Sequence, residues 1–368
     1  MSSSWGRQIK LTVFGESHGP AIGGVVDGLP PGLAVDFDQI NQEMQRRVPG
    51  RHQWSSRRHE TDTYEVLSGL FHDKTTGTPL SFLIRNHDAK SKDYTELLNV
   101  PRPGHADYTG AARYHGYQDY RGGGHFSGRL TAPIVFAGSI ARQLLALKDI
   151  QIGAHIRSIG SISDQLFDPI HPAADLFHDL AKKQFPVISD ACGNRMQQLI
   201  ESARKDCDSV GGIIEAAAVS VPAGVGSPIF DALESILSSI LFAIPAIKGV
   251  SFGDGFGISR LRGSEANDPY DKIADHDGIV TTSNHNGGIL GGITNGMPIL
   301  FQVAVKPTAS IAKKQRSVNL MTGKTTDLIV KGRHDPCIVP RAVPVVEAAA
   351  AFALLDVITQ IKGLEYWL

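Results

Sequence analysis

The chain has 368 residues, 42% of them hydrophobic, with 36 basic side chains against 37 acidic ones. That is enough apolar content to fill one large domain or two ordinary ones, and the near-neutral charge argues against a nucleic-acid or other general polyanion binder. The three cysteines, Cys192, Cys207 and Cys337, are odd in number and form no C-x-x-C pair, which points to neither a disulfide framework nor a thiolate zinc site and predicts a reducing, cytoplasmic setting.

In chain order, β-rich composition predicts strands at 10–14, 66–71 and 80–85, and an apolar stripe at three-to-four spacing predicts a helix over 133–147. A strand at 213–220 follows. Ser227 and Pro228 then read as cap and first turn of a buried helix that carries Ile229, Phe230, Leu233, Ile236, Leu237, Ile240 and Leu241 and ends before Pro245. Alternation around Gln302 predicts a strand at 299–305, and an Ala-rich helix suited to close packing follows Pro344 over 345–361. Gly23-Gly24-Val25-Val26 leading to a Pro-Gly turn is echoed by Gly211-Gly212-Ile213-Ile214. The pattern predicts an α+β layered fold, taken as a single domain over 1–368 that leaves room for an internal pseudo-twofold. The start has no apolar leader and the apolar stretches are broken by polar residues short of spanning length, so no membrane partner is expected.

Chemistry is concentrated in glycine- and proline-rich loops. Gly15-Glu16-Ser17-His18-Gly19, Arg102-Pro103-Gly104-His105-Ala106-Asp107 and Gly332-Arg333-His334-Asp335-Pro336 each set titratable groups among residues chosen for backbone geometry. Between 46 and 58 stand Arg46, Arg47, Arg51, Arg57 and Arg58 with no acidic residue. Alone, such a run is equally a solvated basic loop. With Arg102, Arg121, Arg129 and Arg333 beside glycine-rich turns, it describes a pocket for a small ligand bearing several negative charges. Lys306-Pro307-Thr308-Ala309-Ser310 offers an ammonium and two hydroxyls at a strand end, suited to a cofactor phosphate or ring carbonyl, with a plain turn as the alternative. Gly122-Gly123-Gly124 lacks the context of a dinucleotide fingerprint. His105, His115 and His125 at ten-residue spacing fit no metal-ligand rule, so no metal is expected. Cys337 reads as a small packed residue.

Together, Phe14 to Gly19, Arg102 to Asp107, Asp119-Tyr120-Arg121-Gly122-Gly123-Gly124, Gly287 to Ile293, Lys306-Pro307-Thr308 and Gly332 to Cys337 with Arg341 to Pro344 make the chain closely resemble the chorismate synthases over nearly its whole length. The resemblance implies a tetrameric β-α-β sandwich with helices packed between antiparallel sheets. It implies anti-1,4-elimination of phosphate from 5-enolpyruvylshikimate 3-phosphate to give chorismate, using reduced FMN without net redox change. Position by position, it places Arg47, Arg102, Arg129 and Arg333 on the substrate, with Arg51 a stand-in where Gln53 replaces a frequent arginine. His18 is implied to protonate the leaving phosphate, His105 to give the reduced flavin a proton on the N1 side and Asp335 to accept one from N5, with Ser17 and Ser127 as hydroxyl relays. FMN is implied to contact His125, Ser127, Gly291, Lys306, Pro307, Thr308, Ala309, Ser310 and Arg333. His125-Phe126 departs from the usual sequence after the triple glycine by losing one arginine, and Pro245-Ala246 replaces an Asn-Ala pair. No nicotinamide motif is visible, and whether NADPH reduces the flavin on this chain stays open. So do two other readings: a non-catalytic binder of FMN or a phosphorylated metabolite, and a different flavin-dependent phosphate-eliminating lyase.

Overall fold

The Ala-rich segment near the end of the sequence folds into the long helix around which the other elements are layered. The structure, a computed structural model, describes residues 3–48, 61–87, 97–272, 278–330 and 334–368. Two antiparallel sheets of five strands form the outer layers. The first comprises β1 (Ser4–Trp5), β2 (Lys10–Gly15), β3 (Ala21–Asp27), β4 (Tyr64–Ser68) and β5 (Leu80–Arg85), in the order β1-β2-β3-β5-β4. The second comprises β6 (Gln151–Ile159), β7 (Ile162–Ser163), β8 (Gly212–Val219), β9 (Ile247–Phe252) and β10 (Ile299–Val305), in the order β9-β10-β8-β6-β7. Without the two-residue edge strands β1 and β7, both sheets run first, second, fourth, third. The diglycine echo lies on β3 and at the start of β8, which occupy the same place in that order.

The helices are α1 (Phe37–Arg47), α2 (Asp107–Tyr114), α3 (Thr131–Ala146), α4 (Ala174–Lys182), α5 (Asp190–Lys205), α6 (Leu233–Leu241), the single turn α7 (Gly263–Ala266) and α8 (Val339–Lys362). Of these, α3 packs on the first sheet and on α8, while α8 packs on the second sheet, α1 and α6. The result is the β-α-β sandwich expected from the motifs. Alternation drives the first contact: Leu80, Phe82 and Ile84 of β5 point inward, and Phe82 stacks on Phe136 of α3 with ring centroids 3.9 Å apart. Small residues drive the second. A Cβ at Gly138 of α3 would lie 2.4 Å from Cβ and the carbonyl oxygen of Ala348, so only glycine lets the two backbones approach this closely. The outer face of the second sheet is covered by α4, whose Phe177 fills the space above Gly153.

By length and composition α8, at 24 residues, could cross a membrane. Here it is the central core helix, 94% buried over its apolar window, and it carries two buried acids with assigned partners. Glu347 pairs with Arg46 and Arg142. Asp356 accepts the backbone N–H groups of Arg7, Gln8 and Ile9 at 3.0, 2.8 and 2.9 Å, which shapes the turn between β1 and β2.

The predicted strands at 80–85 and 299–305 match β5 and β10, and those at 10–14 and 213–220 shift by a residue. The predicted strand at 66–71 is broken, because Gly69 adopts φ 88° and a bulge separates Val66 from Ser68. The helix expected from Ser227 starts only at Leu233: Ile229 takes φ 64°, and Ile229 and Phe230 are 77% and 91% exposed rather than core. In α8 the helix begins five residues before Pro344, with Pro340 in its first turn, so Pro344 lies inside it. There the ring removes one hydrogen bond near an end whose first N–H groups are unpaired in any helix.

Candidate active site

Four loops meet at the edge of the helical layer around a cavity of about 660 Å³. The turn between β2 and β3 carries Ser17 and His18, and it docks on the triple glycine through a hydrogen bond from Ser17 N to Gly124 O of 3.1 Å. Gly122, Gly123 and Gly124 all have positive φ, and this left-handed run exposes backbone where side chains would stand. A Cβ at Gly122 would lie 2.5 Å from His18 Nε2, and one at Gly123 would lie 3.3 Å from His105 Nε2. Adjacent glycines therefore seat the two imidazoles that the sequence singled out from distant loops.

His105 is held by its own motif. Asp107, first residue of α2, accepts from Arg102 Nε at 2.7 Å, Arg102 Nη2 at 2.8 Å and the Arg102 backbone N–H at 2.9 Å. His105 Nδ1 lies 2.7 Å from the same carboxylate and 3.1 Å from Arg102 Nη2. An arginine can only donate, so the two contacts demand opposite states of Nδ1. The shorter, charge-assisted one places the hydrogen on Nδ1 and leaves Nε2 facing Gly123. Burial alone would raise the Asp107 pKa, but hydrogen bonds from Arg102 and His105 outweigh it and hold the carboxyl well below the usual range. Arg102 also donates to Ser310 Oγ at 2.9 Å, and Lys306 Nζ donates to Gly104 O, which fastens the 102–107 loop to the end of β10.

The opposite wall is built on Arg47, at the end of α1, and Arg129, just before α3. Arg47 Nε donates to Thr131 Oγ1 at 2.9 Å and its Nη2 to Gly128 O at 3.1 Å, while Arg129 Nε donates to Asn86 Oδ1 at 3.0 Å. Both guanidinium groups donate to the buried carboxylate of Asp62. Asp335 closes the ring: its Oδ2 accepts from Arg341 Nη1 at 2.5 Å, and Arg341 Nε donates to Arg47 O at 3.0 Å.

Among the described residues, the lining includes Arg47, Arg102, Arg129, Arg341, Lys248 and Lys306 against one carboxylate, Asp335. Ile244, Pro245 and Ala246 add an apolar side. Ser17 Oγ and Thr308 Oγ1 are buried hydroxyl oxygens that make no hydrogen bond to described residues. Cavity, cations, apolar wall and unsatisfied hydroxyl at Thr308 fit a flavin phosphate and ring.

Most predicted site residues come together here: His105, His125, Ser127, Arg47, Arg102, Arg129, Asp335 and the 306–310 segment all line the cavity. Ser17 and His18 stand behind Gly122. His125 bonds Gly15 O at 2.8 Å and Ser3 Oγ at 3.1 Å through its two ring nitrogens. Gly291 lies in the turn of a short hairpin, Ile289–Leu290 with Ile293–Thr294, and does not line this cavity. Arg51, Arg333 and Gln53 lie outside the described residues. Cys337 is a packed residue, with its thiol pushed up to about 12 by burial. Sequence reasoning missed Asp62, Asn86, Thr131 and the service of Asp107; only Asp107 was signalled, by its place in the arginine motif.

Fold and site together define an antiparallel sandwich with a cationic pocket at its helical layer, where imidazoles and a carboxylate stand beside four arginines. The comparisons with known proteins narrow this. A sequence profile described as chorismate synthase matches residues 9–359. The chain is 46% identical over 356 residues to chorismate synthase of Dehalococcoides mccartyi strain BAV1, covering 97% of this chain and 96% of that one. It is 45% identical to chorismate synthase of Thermococcus gammatolerans, covering 98% of both. A crystal structure of chorismate synthase superposes with a TM-score of 0.76 at 27% identity, covering 99% of this chain and 97% of that chain. The chain belongs to the chorismate synthase family.

Proposed function

We propose that this chain converts 5-enolpyruvylshikimate 3-phosphate to chorismate and inorganic phosphate by anti-1,4-elimination, with reduced FMN as cofactor. The observation that carries the reading is the seating of His18 and His105 on adjacent glycines of one turn, beside a cavity walled by arginines. The substrate has two carboxylates and a phosphate, and its charge calls for such a wall. In this reading Arg47 and Arg129 hold its anionic groups, with Arg333 and Arg51 contributing from outside the described segments. Arg102, engaged by Asp107 and Ser310, serves the substrate chiefly through its fixed charge and by holding its loop.

The 306–310 segment, His125 and Ser127 would hold FMN, with Thr308 Oγ1 offered to its polar atoms; Gly291 would join them only from another subunit. When bound, reduced FMN supplies the electron density that helps the C3–O bond break and the C6 hydrogen leave. His18 gives a proton to the departing phosphate, and Ser17 Oγ, buried beside it, relays that proton. His105 lines the cavity, and with the Nδ1 hydrogen directed to Asp107 its Nε2 can hold a proton. Asp335, anchored by Arg341, takes up the proton released at the end of the cycle. The exposed apolar side chains of Ile229, Phe230 and Phe256 are surface of the kind a subunit contact covers, which supports an oligomer; the tetramer is what the family resemblance implies. A reducing cytoplasm suits three free cysteines.

The test is anaerobic turnover with dithionite-reduced FMN, followed by chorismate and phosphate release and compared with aerobic turnover on NADPH. Chorismate is expected in the first arm, and activity in the second would add an intrinsic flavin reductase. Binding of flavin and substrate with no chorismate in either arm would overturn the reading. His105→Ala should slow turnover at least about tenfold.

A further inference from the structure

Asp62 is a buried charged group beside the cavity that the proposed chemistry leaves unused. It follows the arginine run in sequence, takes a left-handed backbone conformation with φ 51°, and is 2% exposed. One carboxylate oxygen accepts from Arg47 Nη1 and the other from Arg129 Nη1, so a single negative charge joins two guanidinium groups whose side chains are 3% and 5% exposed. The arginines line the cavity and Asp62 does not. It stands behind them as seen from the cavity. Burying such a triad gains little over an apolar packing of equal volume, so its use lies in what it does to the two cations. Without the bridge they would repel each other more and attract an anion entering the cavity more strongly.

We propose that Asp62 is a positioning and specificity-determining residue, an internal counter-ion that spaces Arg47 and Arg129 for a large, multiply anionic substrate while weakening their hold on small inorganic anions. A substrate with several charged groups makes up the lost attraction through contacts elsewhere in the cavity, and a lone phosphate cannot. This rests on the reading that Arg47 and Arg129 hold the substrate.

The test is Asp62→Asn, which keeps the shape and removes the charge. Inorganic phosphate is titrated calorimetrically into the full chain without flavin, and kcat and KM are measured separately with reduced FMN. Loss of one negative charge behind the pair should tighten phosphate binding by about tenfold. Loss of the bridge should let the guanidinium groups shift and lower kcat/KM for 5-enolpyruvylshikimate 3-phosphate by about tenfold or more, chiefly through KM. A general loosening of the fold would weaken both ligands together, so movement in the same direction, or no change in either, overturns the proposal. Should Asp62→Asn fail to fold, Asp62→Glu decides: it retains the charge and displaces the bridge, so phosphate affinity should stay at wild type while kcat/KM falls. Tighter phosphate binding or an unchanged kcat/KM in that variant would refute it. If the wild-type chain makes no chorismate, the proposed function fails while the phosphate arm still reads the counter-ion.

Discussion

Gly122→Ala probes the site by a single methyl group. Gly122 has φ 61° and ψ 14°, a left-handed conformation that costs alanine about 1–2 kcal/mol. The added Cβ would lie 2.3 Å from His18 Cδ2, 2.5 Å from His18 Nε2 and 3.0 Å from Ser17 Oγ. Since carbon contacts relax at about 3.5–4.0 Å, the imidazole must retreat by at least about 1 Å. Misplacing a reacting group by that distance costs on the order of 10² in rate, or about 2.7 kcal/mol in the barrier. The variant should therefore fold with a modestly lowered melting temperature and lose about two decades of kcat in the anaerobic assay. Gly116→Ala is the matched control: it takes the same strain, at φ 81°, but its Cβ meets nothing within 4 Å and it does not line the cavity. It should share the stability loss and keep wild-type kcat. Full activity in Gly122→Ala, or an equal loss in Gly116→Ala, would refute the role proposed for His18 in proton transfer to the leaving phosphate.

Two further outcomes concern stability. Asp356→Ala strips the acceptor from three backbone N–H groups at the β1–β2 turn and should cost about 3 kcal/mol; a denaturation midpoint within experimental error of wild type would contradict that account. His155, wholly buried on β6, has Nε2 2.7 Å from Glu215 of β8 and Nδ1 3.6 Å from Asp164, the latter an ion-pair contact rather than a hydrogen bond. Burial lowers its pKa, but these two carboxylates outweigh burial and raise it above the ordinary 6.5. The stabilisation from the charged ring is thus fully present below about pH 6.5 and is lost as pH rises through the elevated folded value. His155→Leu should abolish that decline and, by stranding two acids, cost about 3–5 kcal/mol at neutral pH. Urea unfolding at a series of pH values reads both effects, and a wild-type stability that rose with pH through this window would count against a charged His155.

Local order was legible where one rule dominates. Period-two alternation marked β10 and β-rich composition marked β5, each of which buries one face against the helical layer, and glycine with proline around His18, His105 and Asp335 marked loops that cannot fill a core. Legibility failed where neighbours distant in sequence decide. Ile229 and Phe230 have a helical apolar pattern yet are not packed within the chain, since nothing in a stripe tells whether a partner layer lies beneath it. Pro344 reads as a helix start, but α8 begins earlier because its first turn tolerates proline.

The residues themselves determined the chemistry on offer: arginines for a polyanion, imidazoles and a carboxylate for proton transfer, and an assortment of motifs shared with one family. Which of those groups meet was decided only in three dimensions, because the pairing of Asp62 with Arg47 and Arg129, and of Asp107 with His105, depends on how sheets and helices stack. A side chain's type sets what bond it can make, whereas its burial and partner, which set that bond's strength and orientation, are properties of the packed layers.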